Sequence, residues 1–366
     1  MKKLLLPLLT ALLTAFLLCG CTSDEPVQPE EQVPETIEEI EEPIICTTPE
    51  DLDQLDGIVS VHPITLNEYL TKPESEYSAD QLAYQDSVLQ NFPIYLIEYT
   101  VDNCTVYAHL TLPAEYDAEN PAPLVITVDS GRGYRSIWNP ASDVVNEIHH
   151  PLMATMYSKI TEEVIRSDIA EDYSSITRSY AVLECYLRET EPGTGFDEFG
   201  GDDVNDLVFW FDKLPSLSFI DQEHIYMVGD SRGAMQICLA LREAPDSLIR
   251  AALSFSGAYD IADLYDFRED MRDELEKRIG GTPEEYPEEY AKRSVINFAN
   301  EINTPLLLVH NTGDKRVPYA QAAAFAEKLT QAGKTVEFIT RDSDGHILSG
   351  SIEILEMLNR MLELYG

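Results

Sequence analysis

The chain has 366 residues, 66 of them acidic and 25 basic, for a formal charge of −41. So negative a surface disfavours nucleic acid phosphates and anionic lipid as direct partners and favours neutral or cationic ones. With 44% hydrophobic residues the chain can fill an ordinary globular core, as one large α/β domain or two small ones.

Lys2 and Lys3 precede an apolar run from Leu4 to Leu18, broken by Pro7 and two threonines. This is the pattern of a secretory signal over residues 1–20, too short to span a bilayer comfortably. Its end, Leu18-Cys19-Gly20-Cys21, resembles the lipobox of bacterial lipoproteins. The resemblance implies cleavage before Cys21 and lipidation of its thiol, so the exported protein would be anchored at the extracytoplasmic face of a membrane. Thr22 to Asp51 then holds eleven acidic residues, five prolines and no Lys or Arg. Such a stretch buries too little apolar surface to fold, so residues 21–51 read as an extended tether. The body spans 52–366, with an N-terminal extension over about 52–90 in which Ser78 is placed to cap a helix running to Leu89.

Strands follow at Ile94–Val101 and Thr105–Leu112, with Asp102-Asn103-Cys104 as a hairpin turn. Leu124–Val128 is a continuous apolar run suited to a sheet covered on both faces, and it ends in the loop Asp129-Ser130-Gly131-Arg132-Gly133. Asp143 to about Ile169 is helical in pattern around Pro151. Ser179–Tyr186 is a strand, and Asp202 or Asp203 can cap a helix with Val204, Leu207, Val208 and Phe211 on one face. Further strands are expected at Ile225–Val228, Arg250–Phe255, Leu306–His310 and Thr335–Thr340. Helices are expected at Asp263–Ile279, around Ala322–Leu329, and at Ile352–Tyr365. Alternation at these lengths predicts βαβ units: an α/β fold with a mainly parallel, doubly wound sheet, helices on both faces, and an antiparallel edge from the first hairpin.

Gly229-Asp230-Ser231-Arg232-Gly233 closes the Ile225–Val228 run, and Ala234, Ile237, Cys238 and Leu241 begin a helical stripe at once. Strand, tight turn and helix around G-x-S-x-G form a nucleophile elbow, with Ser231 at its tip. A serine hydroxyl needs a base within hydrogen-bond reach, itself oriented by a carboxylate. Of seven histidines, His346 alone follows the last strand and precedes the last helix, where the base of such a fold belongs. His310 ends a buried strand and reads as a core histidine. Asp314, on the loop after Leu306–His310, is the expected acid; Asp342 and Asp344 lie nearer His346 in sequence and read as turn or solvated residues. The Arg232 N–H is one expected oxyanion donor, and the loop at Ser130 and Gly131 should bring the other, with the Tyr134 hydroxyl as a further option. The Arg232 side chain can pair with a substrate carboxylate, or with Asp230 or another acid. Cys46, Cys104, Cys185 and Cys238 show no C-x-x-C and no histidine at ligand spacing, so neither a metal nor a cofactor is expected. Cys185 and Cys238 read as small buried hydrophobes.

Leu306 to Pro318, LLLVHNTGDKRVP, resembles the acid-loop signature of the prolyl oligopeptidase family of α/β-hydrolases. The likeness continues through Gln321, Leu329, Val336-Glu337-Phe338 and Asp344-Gly345-His346. Upstream it takes in Tyr186-Leu187-Arg188, the glycines after them and Asp206, and it covers roughly Pro121 to the C-terminus. It implies the α/β-hydrolase fold, hydrolysis of peptide or ester bonds, and catalytic roles for Ser231, Asp314 and His346. The chain departs from the pattern at Arg232 and Ala234, where an aromatic residue and a glycine are usual, and at Asp129-Ser130-Gly131, where an H-G-G-type loop is usual. The reading is therefore a serine peptidase on short peptides. The alternatives are a carboxylesterase or deacylase on the same machinery, and a lipoprotein binding module without catalysis. A small peptide or ester substrate and a membrane held through Cys21 are the expected partners.

Overall fold

Strands β1 (Ile58–Pro63), β2 (Ile94–Val101), β3 (Cys104–Thr111), β4 (Ala122–Val128), β5 (Ala181–Cys185), β6 (Ile220–Asp230), β7 (Ala251–Phe255), β8 (Leu306–Asn311) and β9 (Val336–Arg341) form one sheet in the computed structural model of the protein. Their order is β1-β2-β3-β5-β4-β6-β7-β8-β9. The structure describes residues 43–69, 74–91, 93–113, 116–128, 180–346 and 351–366. The signal, Cys21, most of the expected tether, the Ser130–Gly131 loop, Tyr134 and the expected helices over 143–169 lie outside them.

The first three strands run antiparallel to their neighbours, and every pairing from β5 through β9 is parallel. The β2–β3 hairpin turns on two residues, Asp102 at φ 51° and Asn103 at φ 62°, with Cys104 already in the strand. Two successive positive φ values match the twist of the strands, and Asp and Asn tolerate them better than most side chains. β1, at the edge, falls in the extension to which the sequence assigns only one helix. That helix is present as α1 (Ala79–Asn91). Ser78 Oγ accepts from Gln81 N at 3.2 Å while Gln81 Oε1 accepts from Ser78 N at 2.9 Å, a reciprocal cap.

The expected tether ends before Asp51. Cys46 is fully buried and bridges to Leu217, and a 3₁₀ turn at Pro49–Gln54 puts Leu52 into the core. The acidity that reads as self-repulsion is locally useful, because the Asp51 carboxylate accepts from the amides of Thr47 and Thr48 at 2.8 and 2.9 Å.

Side chains alternate across the central strands, so each apolar run feeds two cores. Leu124, Ile126, Ile225, Met227, Leu306 and Leu308 join the larger core with α2 (Ser231–Ala240), α3 (Ile261–Phe267), α4 (Arg272–Ile279), α5 (Pro287–Arg293) and α6 (Tyr319–Gln331). Val125, Tyr226, Val228, Leu253, Phe255, Leu307 and Val309 face the other way, onto Leu358, Met361 and Leu362 of α7 (Ser351–Tyr365). Each of those three burials is worth roughly 1.5–3 kcal/mol. Cys46, Cys104, Cys185 and Cys238 are free thiols, with Cys185 and Cys238 buried in the larger core as the sequence suggests.

The single helix expected over Asp263–Ile279 is two, α3 and α4, separated at Arg268 (φ −109°, ψ 80°). Its apolar phase is continuous, which is why the sequence reads as one helix. A tertiary contact wins instead: at the break the Arg268 guanidinium holds Asp270 at 2.7 Å and the carbonyl of Arg316, beyond β8, at 3.1 Å.

Candidate active site

The chain leaves β4 for β5 on one side, then returns to β6 on the other, so the order in which parallel strands are added across the sheet reverses at β4. In open α/β sheets the crevice outside the carboxyl ends of the strands at such a point is where ligands bind. Ser231 stands there. β6 ends at Asp230, α2 begins at Ser231, and Ser231 itself sits at φ 50°. That left-handed backbone is strained for a residue with a side chain, and it projects the hydroxyl from the turn. Gly229 is required by the same turn: a Cβ there would lie 2.6 Å from the Gly233 carbonyl oxygen. Arg232 N–H is among the first amides of α2, which have no hydrogen-bond acceptor within the helix.

Asp314 and His346 come from the loops after β8 and β9. The two loops are tied together: Thr312 N donates to Arg341 O at 2.8 Å, Gly313 N to Ser343 O at 2.9 Å, and Asn311 Nδ2 to the Gly345 carbonyl at 2.9 Å. The approach leaves no room for a side chain at 313, where a Cβ would lie 3.0 Å from both Asp344 Cα and Ser343 O. With the loops so fixed, His346 Nε2 is 2.8 Å from Ser231 Oγ and His346 Nδ1 is 2.8 Å from Asp314 Oδ2. The other oxygen, Asp314 Oδ1, accepts from the amides of Arg316 at 2.8 Å and Val317 at 3.1 Å. Asp342 and Asp344 are exposed and take no part.

Burial on its own would raise the Asp314 pKa. Hydrogen bonds from His310 and His346, the positive potential of His346 and the Arg316 amide outweigh it and hold the carboxyl well below the usual carboxylate range. A carboxyl whose folded value is depressed adds stability above its unfolded pKa of about 4 and loses it as pH falls through the folded value. Urea midpoints measured from pH 6 down to pH 2 are therefore expected to fall more steeply for the wild type than for Asp314→Asn, with the two curves parallel above about pH 5. Parallel curves throughout the acid range would refute that contribution.

The Arg232 side chain turns inward. Its guanidinium is buried against Asp197, with Nη1 2.6 Å from Oδ2 and Nη2 on Oδ1, and it reaches Asp203 Oδ2 at 3.1 Å across the face of Phe199. This decides between the two partners open in the sequence in favour of protein acids, and the acids are Asp197 and Asp203. Asp203 is correspondingly not a helix cap. It accepts backward, from the amides of Gly200 and Gly201 at 3.1 and 2.8 Å, and from Gln236 Nε2 at 2.5 Å. Arg278 extends the cluster through Glu189, Glu274 and the Asp197 carbonyl. The residues between β5 and the elbow are thus clamped behind Ser231. These contacts join positions 29 and 35 apart, and no local spacing announces them.

Of the other expected site residues, Ser130 and Gly131 lie outside the described residues. β4, which leads to them, runs beside β6 in register Thr127↔Val228. His62 and His109 are in strands; His224 pairs with Asp221 at 3.0 Å beside a hollow of about 640 Å³ at the opposite, N-terminal end of the parallel strands.

Residues 194–365, which carry all of Ser231, Asp314 and His346, match the sequence model of the prolyl oligopeptidase family. An uncharacterized peptidase of Bacillus subtilis, YtmA, is 30% identical over 161 residues, 44% of this chain and 62% of that protein. The fold resembles a putative dipeptidyl aminopeptidase IV from Bacteroides ovatus (TM-score 0.58, 19% identity, 76% of this chain and 36% of that one). It also resembles the acylaminoacyl peptidase of Pyrococcus horikoshii (TM-score 0.54, 18% identity, 79% of this chain and 43% of that one). The chain thus spans less than two thirds of the length of each relative. The sheet and its helices are those of the α/β-hydrolases.

Proposed function

We propose that this chain is a serine peptidase that cleaves short peptides through an acyl-enzyme, with Ser231 as nucleophile, His346 as base and then acid, and Asp314 orienting the imidazole. One observation carries the reading: a single imidazole, His346, bridges a serine hydroxyl and a buried carboxylate at 2.8 Å on either side. Asp314 can only accept, so His346 Nδ1 carries the hydrogen and Nε2 is free to take the proton of Ser231 Oγ. Attack by Oγ on the scissile carbonyl breaks its π bond and leaves an oxyanion, for which the Arg232 N–H is one donor. Collapse expels the amine with the proton from Nε2–H; water then repeats the sequence on the ester. The peptidase names of the relatives favour an amide over an ester as the bond cleaved.

A fluorophosphonate probe, followed by a panel of aminoacyl-arylamides and short acyl esters, tests this. The expected result is labelling of the wild type and arylamide cleavage. Ester turnover with no arylamide cleavage would move the assignment to a carboxylesterase or deacylase, and a wild type that fails to label would move it to a binding module.

The second part of the proposal is location. The lipobox-like Leu18-Cys19-Gly20-Cys21 supports export and anchoring through Cys21 at the outer face of a membrane. Metabolic incorporation of a fatty-acid analogue is expected in the wild type and absent from Cys21→Ser. Equal incorporation in both would rule the anchor out.

A further inference from the structure

The Asp314 carboxylate serves two imidazoles. His310, on β8 and buried to 1% exposure, places Nε2 3.2 Å from Asp314 Oδ2 and 3.2 Å from the Val317 carbonyl. Both neighbours only accept, so Nε2 must carry the hydrogen. Nδ1 is buried with no hydrogen-bond partner among the described residues. Asp314 thus has four N–H groups around it. Arg316 and Val317 amides lie on Oδ1, and His346 Nδ1 and His310 Nε2 lie on Oδ2.

The sharing of Oδ2 is the unusual part. A histidine that merely fills the strand end is satisfied by the Val317 carbonyl alone. A second N–H on the oxygen that orients the catalytic imidazole divides its negative charge and fixes the plane of the carboxylate. Among the described residues, the groups facing His310 are Asp314 and the Val317 carbonyl from the loop after β8, His346 across Oδ2, and the edge of the Tyr319 ring at 6.1 Å. Arg268 reaches this loop at the Arg316 carbonyl and lies within the field of Asp314.

We infer that His310 is a positioning residue for the Ser231–His346 pair, restraining Asp314 through Oδ2 and limiting how strongly that carboxylate draws on the His346 imidazole. The inference rests on the hydrolase reading above for its catalytic meaning, but not for its measurement. Without the His310 donor, Oδ2 turns its whole charge on His346 and makes that imidazole a stronger base.

The test is an NMR titration of the His346 ring in the full chain, assigned by its loss in His346→Gln. His310→Phe keeps the bulk and removes the donor; His310→Asn, whose amide is too short to reach Asp314, serves if the Phe variant does not fold. His310→Gln puts an amide N–H back near the position of Nε2. The expected result is an upward move of the His346 midpoint by about 0.5–1 pH unit in Phe or Asn, with Gln close to wild type. The acid limb of kcat/KM should move with it. An unmoved midpoint in the donor-free variants overturns the inference even if the enzyme is active. A moved midpoint in a protein that neither labels nor hydrolyses upholds the positioning and overturns the hydrolase reading instead.

Discussion

Ser231→Ala and His346→Gln are each expected to lower kcat about 10⁶-fold, and the double variant to be no slower than either single one. Oγ attack and proton transfer to Nε2 are one event across a single 2.8 Å contact, so removing either partner removes the whole step. Asp314→Asn is expected to cost about 10⁴-fold in kcat with the fold intact. Its side-chain oxygen stays on the amides of Arg316 and Val317, which now hold Oδ1 at 2.8 and 3.1 Å. The new NH₂ group then faces His346 Nδ1 and donates to it. That forces the ring hydrogen onto Nε2, where it blocks acceptance from Ser231. Single-turnover rates on one arylamide substrate, with urea midpoints as the control for folding, check the series. A double variant 10³-fold or more below the single ones, or an Asp314→Asn enzyme at wild-type rate, would refute this assignment of roles.

How far the sequence reveals this site follows from the range of each signal. The elbow is local: a buried strand, G-x-S-x-G and a helical stripe lie within twenty residues, and both the turn and its glycine are present as expected. The loops of Asp314 and His346 are legible by position, because each follows a parallel strand whose hydrophobic run is unmistakable. Asn311 and the carbonyls of Ser343 and Gly345, which lock those two loops together, carry no linear signal. His310 is readable as a buried strand-end histidine, yet its 3.2 Å approach to Asp314 depends on how the loop turns back after Asn311. The acidic N-terminal stretch misleads at its end, since composition cannot show that Asp51 spends its charge on two nearby amides. The break in the 263–279 helix is hidden for the opposite reason: the apolar phase runs through it, and a distant carbonyl decides the matter.

Arg232→Met is expected to destabilise the fold by about 3–5 kcal/mol, the range for removing one member of a buried ion pair. Asp197 and Asp203 are both fully buried. Desolvation disfavours the Asp197 charge, and the attraction and hydrogen bonds of Arg232 reverse the balance and keep it low. Without Arg232, the Asp197 side chain keeps, among the described residues, the Phe199 amide at 2.8 Å and Arg278 at 3.8 Å, while Asp203 keeps Gln236 and two amides. The greater loss therefore falls on Asp197, and Arg232→Met with Asp197→Asn should recover part of the stability lost by Arg232→Met alone. A double-mutant cycle on urea unfolding reads this as a coupling of about 0.5–3 kcal/mol. Arg232→Lys should behave more like Met than like the wild type, because one ammonium cannot reproduce a fork that bonds two carboxylates at once. The preference between free-acid and amidated substrates should not change in any of these variants, since the guanidinium is committed to Asp197 and Asp203. A selective loss on free-acid substrates, with stability at wild-type level, would mean that Arg232 leaves its buried acids and meets the substrate.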